Sequence, residues 1–347
     1  MIPAVKSAKN IFNAVRRIPA VMIANVLVTR KCSQKCLQCT IPLDPEGKDN
    51  MQFNDFIEIV DTLDRHGTQF LSISGGEPLL HPLLDELIRY AAGKNFVYVQ
   101  LLSNLFSSKS KVEKTVETLM ETGAGIQTSF DGFGDVADKL RGGKNVAETV
   151  MFGIDLINRE NKKRKKPIRT SVNIVINQLN LVQIPEILEY IENIGWKANV
   201  DLYRWLSDNH NEVDKMKITD LVLLQDALDW IRSAPFVTTP RVIIDGYIDY
   251  LNGKQEKRCP YLEGSALGSK FFIEPNGEVN LCFGEPVGNL LRQKPVVIFR
   301  SEKWHNRLRE LEKCEGCWNT CYTPAAITFH PKNMRELKAI WNIARKG

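Results

Sequence analysis

From residue 20 to about 245 the chain alternates between two hydrophobic rhythms. Short apolar or β-branched runs recur as MIANVLVT (22–29), FLSIS (70–74), VYVQLLS (97–103), GIQTSF (125–130), RTSVNIVI (169–176) and ANVDLYR (198–204). Between them lie FNDFIEIVDTLDRHG, PLLDELIRYAAGKN, SKVEKTVETLMETG, VAETVMFGIDLINREN and LVQIPEILEYIENIG, with apolar residues at three- and four-residue steps. The first rhythm predicts strands and the second amphipathic helices, several ending in Gly or Asn. Strands alternating with helices predict a parallel sheet with right-handed crossovers. Six units are too few for an eight-fold barrel. The expected fold is α/β, a partial, TIM-like (β/α)6 barrel over residues 20–250.

The rhythm changes after residue 250. KFFIEPNGEVNLCFG (Lys270–Gly284) predicts a hairpin turning at Asn276-Gly277. SEKWHNRLRELEKCEGCWNTC predicts a short helix running into three cysteines, and NMRELKAIWNIARK a last helix. Residues 251–347 are therefore expected to form a small cysteine-rich α+β module. Residues 1–19 form an N-terminal amphipathic segment, with Val5, Ile11, Phe12 and Val15 as its apolar stripe and cations opposite. It is expected to pack on the barrel through that stripe, with peripheral membrane contact as the alternative.

Composition narrows the class. Hydrophobic residues make up 43% and charged residues 25% of the 347 positions, as in ordinary globular proteins. IPAVMIANVLV (18–28) is short, contains Pro19 and Asn25, and leads into cysteines, so it predicts a strand and no membrane span. The basic N-terminus lacks a small-residue cleavage site, so no signal peptide is expected. The net charge of +5 is mild, and the KKRKK run (162–166) joins a helix to a strand. It predicts a solvated loop, and no nucleic-acid partner is expected. Eight cysteines fall into two groups: Cys32, Cys36 and Cys39, then Cys259, Cys282, Cys314, Cys317 and Cys321. Such clustering without a secretion signal predicts two metal-binding groups in a reducing, cytoplasmic setting.

The polar motifs share one address. The first cysteine group follows the first strand, SGGEPLLHP (74–82) the second, SNLF (103–106) the third and SFDGFGD (129–135) the fourth. In βα folds the C-terminal ends of the strands form one rim, so these motifs should converge there. Three thiolates on one loop suit an iron–sulfur cluster, leaving one iron without a protein ligand. A structural zinc site closes with a fourth protein ligand, and no further Cys or His is close by in sequence. A non-catalytic zinc-binding structural protein is the alternative from a different class.

CSQKCLQC has the form CxxxCxxC. Together with GGEP and the strand order it resembles the radical S-adenosylmethionine (SAM) superfamily. The resemblance covers roughly residues 20–245. It implies a [4Fe–4S] cluster on Cys32, Cys36 and Cys39, with SAM's amino and carboxylate groups on the open iron. It also implies an electron donor such as flavodoxin or ferredoxin, and reductive cleavage of SAM to a 5′-deoxyadenosyl radical that abstracts hydrogen from substrate. By the same resemblance Gly75, Gly76 and Glu77 contact SAM's amino group. Ser103 and Asn104 match the family's TNG, with Leu105 in place of its glycine. Ser129 and Asp131 lie in a stretch similar to S-x-DG…D-x-x-RG and would approach SAM's ribose or the substrate. Asn173 and Arg204 are further polar candidates. Gln38 stands where an aromatic residue is usual before the third cysteine.

The C-terminal cysteines, with GEVNLC and CEGCWNTC, resemble the SPASM/twitch extensions of that superfamily. The pattern is shortened, which implies one auxiliary [4Fe–4S] cluster on Cys259, Cys282, Cys314 and Cys317, with Cys321 as an alternative ligand. The expected activity is that of a radical SAM oxidoreductase or transferase-type enzyme acting on a peptide or small molecule. A lipid or isoprenoid substrate at the membrane is the alternative enzyme reading.

Overall fold

The computed structural model describes residues 5–6, 9–10, 12–13, 18–39, 50–203, 213–254, 259, 261, 270–282, 284–314 and 318. Cys317, Cys321, Arg204 and the expected last helix lie outside them. Six βα units follow in order. The strands are β1 (Ile23–Leu27), β2 (Phe70–Ser74), β3 (Tyr98–Leu102), β4 (Gly125–Ser129), β5 (Thr170–Ile176) and β6 (Lys197–Leu202). The intervening helices are α1 (Phe53–His66), α2 (Leu84–Ala92), α3 (Lys109–Thr122), α4 (Gly134–Arg141), α5 (Val146–Lys162) and α6 (Ile184–Ile194), with α7 (Leu221–Ser233) after β6. Adjacent strands pair parallel in the order β6-β5-β4-β3-β2-β1.

The hairpin forms where expected, from β7 (Lys270–Ile273) to β8 (Glu278–Asn280), and β9 (Gly288–Asn289) pairs with β8. It does not stand apart. β7 pairs parallel with β1, Ile23 opposite Lys270, so one nine-stranded sheet carries both the barrel and the cysteine-bearing segment. Arg30, just past β1, reinforces that seam through an ion pair with Glu274 at 3.0 Å.

Strand alternation sorts the side chains. Ala24, Val26, Leu71, Ile73, Leu101, Ile126, Val172, Ile174, Ala198 and Val200 are buried against helices, with Phe56, Ile59 and Leu63 of α1 among their partners in the core. Each fully buried Val, Leu or Ile side chain among them contributes about 1.5–3 kcal/mol, which anchors the rim above. The opposite positions are largely polar, among them Asn25, Ser72, Gln100, Gln127, Asn173 and Asn199, and these line a cavity inside the sheet's curve.

The N-terminal segment is helical at residues 5–6, 9–10 and 12–13, with its polarity reversed from expectation. Lys6 is fully buried, pairing with Asp64 and donating to the Thr68 carbonyl, and Asn10 donates to the Gly67 carbonyl. Val5 and Phe12 are 49% and 57% exposed. The barrel offers an anion and open carbonyls at that spot, so a cation faces inward where an apolar stripe was expected.

Candidate active site

The cysteine loop is stitched to the neighbouring βα loop by main-chain bonds. Val28 N donates to Ser74 O at 2.8 Å, Gly76 N to Thr29 O at 2.8 Å and Glu77 N to Lys31 O at 2.7 Å. The β1–β2 pairing thus continues past the strands up to Cys32. This closeness requires the glycine pair. A Cβ on Gly75 would lie 2.4 Å from Thr29 O, and one on Gly76 2.3 Å from Lys31 O. Because those N–H groups face the cysteine loop, the Gly75 and Gly76 carbonyls lie on the opposite side of their trans peptides.

The far side of the loop rests on the end of α4. Lys35 N donates to Arg141 O at 3.2 Å and Leu37 N to Leu140 O at 2.9 Å. Gly142 ends the helix at φ 64°, and a Cβ there would lie 2.7 Å from Lys35 O. The Arg141 side chain turns back toward the loop. Its Nη1 lies 3.9 Å from Cys36 Sγ, and Nη2 pairs with Asp131 Oδ2. Asp131 also accepts from Gln38 Nε2 at 2.9 Å and from Val175 N at 2.8 Å.

Asp131 is one of the residues expected to approach SAM's ribose or the substrate. Its side chain is fully buried, does not border the cavity, and is committed to Arg141, Gln38 and Val175. Arg141 borders the cavity instead.

Glu77 is also fully buried. It accepts from Ser103 Oγ at 2.6 Å, Asn104 N at 2.7 Å and Leu79 N at 2.9 Å, joining the second rim loop to the third. Burial pushes its carboxyl up to about 7, against the pull of those three donors. Asn104 Nδ2 in turn donates to Gln34 Oε1 at 2.8 Å, inside the cysteine loop. Leu105, where the family pattern has glycine, adopts φ 55° and is buried. Its side chain occupies space left by Gly153 of α5, where a Cβ would lie 3.1 Å from Leu105 Cδ1. His81 faces away from this chemistry, between the Met51 carbonyl and Leu83 N.

Cys32, Cys36, Cys39, Gly75, Gly76, Glu77, Ser103, Asn104 and Ser129 all border one cavity of about 610 Å³. The rim motifs therefore converge as their strand order predicted. Burial pushes the Cys32 thiol up to about 12, aided by the charges of Glu77, Cys36 and Cys39. Such a thiol needs a metal partner to act as a thiolate. Among the described residues no three Cys, His, Asp or Glu side chains converge on one point as a single ion requires. Three cysteines spread around one cavity mouth fit a multi-iron cluster, in which each thiolate has its own iron. The Nε2 of Gln34 and the Oε1 of Gln38 are buried beside them without hydrogen-bond partners, as polar atoms facing an absent group would be. In the C-terminal group, Cys259 and Cys282 pack against the core, and Cys314 is exposed after α11 (Glu302–Glu312), a helix preceded by α8 (Arg241–Asp245), α9 (Tyr247–Leu251) and α10 (Pro295–Phe299).

Residues 26–191 match the radical SAM superfamily model. Those residues are a radical SAM domain. Its relatives include the antilisterial bacteriocin subtilosin biosynthesis protein AlbA of Bacillus subtilis, 24% identical over 83% of this chain and 61% of that protein. The PqqA peptide cyclase of Rhodopseudomonas palustris is 26% identical over 74% of this chain and 65% of that protein. The Fe-coproporphyrin III synthase of Methanosarcina barkeri is 27% identical over 48% and 39%. The chain thus spans less than two thirds of the length of each. The fold of the chain is similar to that of Streptococcus suis SuiB bound to S-adenosylmethionine, with a TM-score of 0.66 at 17% identity over 90% of this chain and 76% of SuiB. A [4Fe–4S] cluster and SAM are the cofactors this family implies.

Sequence reasoning overlooked Gln34, Asn25, Gln100 and the direction of Arg141. The signal for the second and third was present. Strands of a fully buried parallel sheet read as continuous apolar runs. Here polar residues recur at every second position, which marks a lumen.

Proposed function

We propose that this chain is a radical SAM enzyme that removes hydrogen from a peptide substrate. One observation carries the reading: three cysteines from the first rim loop, and a glycine pair and a buried glutamate from the second, meet on one cavity that continues into the barrel. Cys32, Cys36 and Cys39 would hold the cluster, which when reduced supplies the electron that cleaves SAM to a 5′-deoxyadenosyl radical. Gly75 and Gly76 would hold SAM's ammonium group through their carbonyls, and Glu77 fixes Ser103 and Asn104 on the neighbouring loop. Ser129 presents its hydroxyl from the end of β4.

A peptide is favoured as substrate by the relatives, which include a bacteriocin biosynthesis protein and a peptide cyclase. The fold neighbour SuiB has also been crystallised with its precursor peptide SuiA. SPASM-type relatives support an auxiliary cluster on Cys259, Cys282, Cys314 and Cys317, with Cys321 in reserve. A low-potential flavodoxin or ferredoxin would supply the electron.

Anaerobic reconstitution tests the reading. About eight irons per chain are expected, falling to about four when Cys32, Cys36 and Cys39 are all replaced by alanine. SAM and dithionite should yield 5′-deoxyadenosine with the native chain and none with the triple variant. Zinc in place of iron, or no 5′-deoxyadenosine from the iron-loaded chain, would defeat it.

Exposed Val5 and Phe12 favour a second reading, peripheral membrane contact through the N-terminal helix. The chain should then float with anionic vesicles and lose that property on Val5→Ser/Phe12→Ser. Equal behaviour of the two proteins would remove this reading.

A further inference from the structure

In a closed βα barrel, branched aliphatic side chains fill the inward positions. Here they form a polar rung. The register sets Asn25 opposite Ser72, Ser72 opposite Gln100, and Gln100 opposite Gly125, with Phe272 beside Asn25 on the other flank. Gln100 Nε2 donates to Ser72 Oγ at 2.9 Å. One step lower the lumen narrows. The Tyr98 hydroxyl stands over Gly125, where a Cβ would lie 1.8 Å away, and the Arg169 guanidinium stacks 5.0 Å from the Tyr98 ring. Asn25, Ser72, Gln100 and Tyr98 border the same cavity as the three cysteines.

Asn25 is 8% exposed, and its Oδ1 is buried with no hydrogen-bond partner among the described residues. A buried amide oxygen without a partner calls for a missing one. Asn25 borders the cavity, so a ligand there can supply that partner. The rung carries no formal charge. The nearby cation Lys270, opposite Ile23, holds its Nζ 4.7 Å from the centre of the Phe272 ring. Within the rung a carboxylate would meet only amide and hydroxyl groups, the Lys270 ammonium being held over the Phe272 ring, and an alkyl group would leave Asn25 unpaired. A side-chain amide or hydroxyl meets both demands.

We propose that Asn25, Ser72 and Gln100 form a subsite on the barrel floor that binds an uncharged, hydrogen-bond-donating side chain of the substrate, an amide or a hydroxyl. The inference deepens the reading of the cavity as a radical SAM substrate chamber and rests on it. Ser72 lies four residues before Gly76, about 13 Å along a strand. A substrate residue anchored at the floor therefore sits about four strand residues below the glycine motif of the rim, with the rest of the substrate extending up the cavity toward it.

Binding of capped amino acids to the cluster-loaded chain tests this. The probes are the N-acetyl methylamides of asparagine, serine, aspartate and leucine, titrated with SAM present and no reductant by saturation-transfer NMR. The asparagine and serine probes are expected to bind about tenfold more tightly than the other two. Asn25→Leu and, separately, Gln100→Leu should erase that preference, with circular dichroism confirming that each variant folds. Equal binding of all four probes to the native chain, tighter binding of aspartate or leucine, or a preference unchanged in both folded variants would overturn the subsite. Because no turnover is needed, these results stand apart from the 5′-deoxyadenosine assay. Failure of that assay counts against the enzyme reading, and failure here against the floor subsite alone.

Discussion

Replacing Arg141 with leucine is expected to destabilise the protein by about 3–5 kcal/mol, the cost of leaving a buried carboxylate without its cation. The Arg141 and Asp131 side chains are 12% and 0% exposed, so solvent cannot take over the pairing. The Arg89–Glu121 bridge, at 43% and 58%, makes the contrast: water takes over its pairing, so removing it should leave the unfolding midpoint almost unchanged. Urea unfolding of the metal-free protein measures both. Adding Asp131→Asn to Arg141→Leu should recover part of the loss, since it removes the stranded charge. A second effect follows from the approach of Arg141 to Cys36. A nearby cation favours the more negative, reduced form of a cluster. Folded protein from an Arg141→Gln variant should therefore show a lower cluster midpoint potential by redox titration. An unchanged potential would mean that Arg141 acts on the loop's shape alone.

The other large effect is expected at Glu77. At pH 8, Glu77→Gln should cost about 1–3 kcal/mol, because the new amide NH2 must face either Asn104 N or the Ser103–Leu79 donor pair. The second and third rim loops then lose their shared acceptor, and SAM affinity, read by calorimetry, should fall with the stability. The pH dependence has a definite sign. Glu77 holds its proton more tightly folded, at about 7, than at its ordinary 4.5. Its contribution therefore makes stability decline as pH rises from about 4.5 to about 7 and level off above. Urea midpoints of the metal-free chain should show that decline, and Glu77→Gln should flatten it.

The barrel was readable because its cues are local. β-branched runs and amphipathic helices placed the strands within about two residues, and the order of the strands alone gathered the rim motifs. What escaped depends on contacts far apart in the chain. Nothing near Asp131 says that α4 folds its C-terminus against residues 35–37 and delivers Arg141 to that carboxylate. The N-terminal helix misled for a related reason. Its periodicity points Val5 and Phe12 inward, but Asp64 and the Thr68 carbonyl lie beneath it, and they select Lys6. Leu105 is a further case. It replaces the family's glycine, and Gly153, far along the chain, supplies the space that the larger side chain needs.

The parallel pairing of β7 with β1 has a consequence for dissecting the molecule. A chain cut near residue 250 would not release a self-sufficient barrel. It would bare the hydrogen-bonding edge of the strand that leads into Cys32, and an open edge of that kind recruits other chains. It would also remove Glu274, the partner of Arg30 two residues before that cysteine. Exchanging C-terminal modules between proteins of this architecture should therefore be attempted with the join placed after β8, so that the hairpin stays with the barrel that it completes.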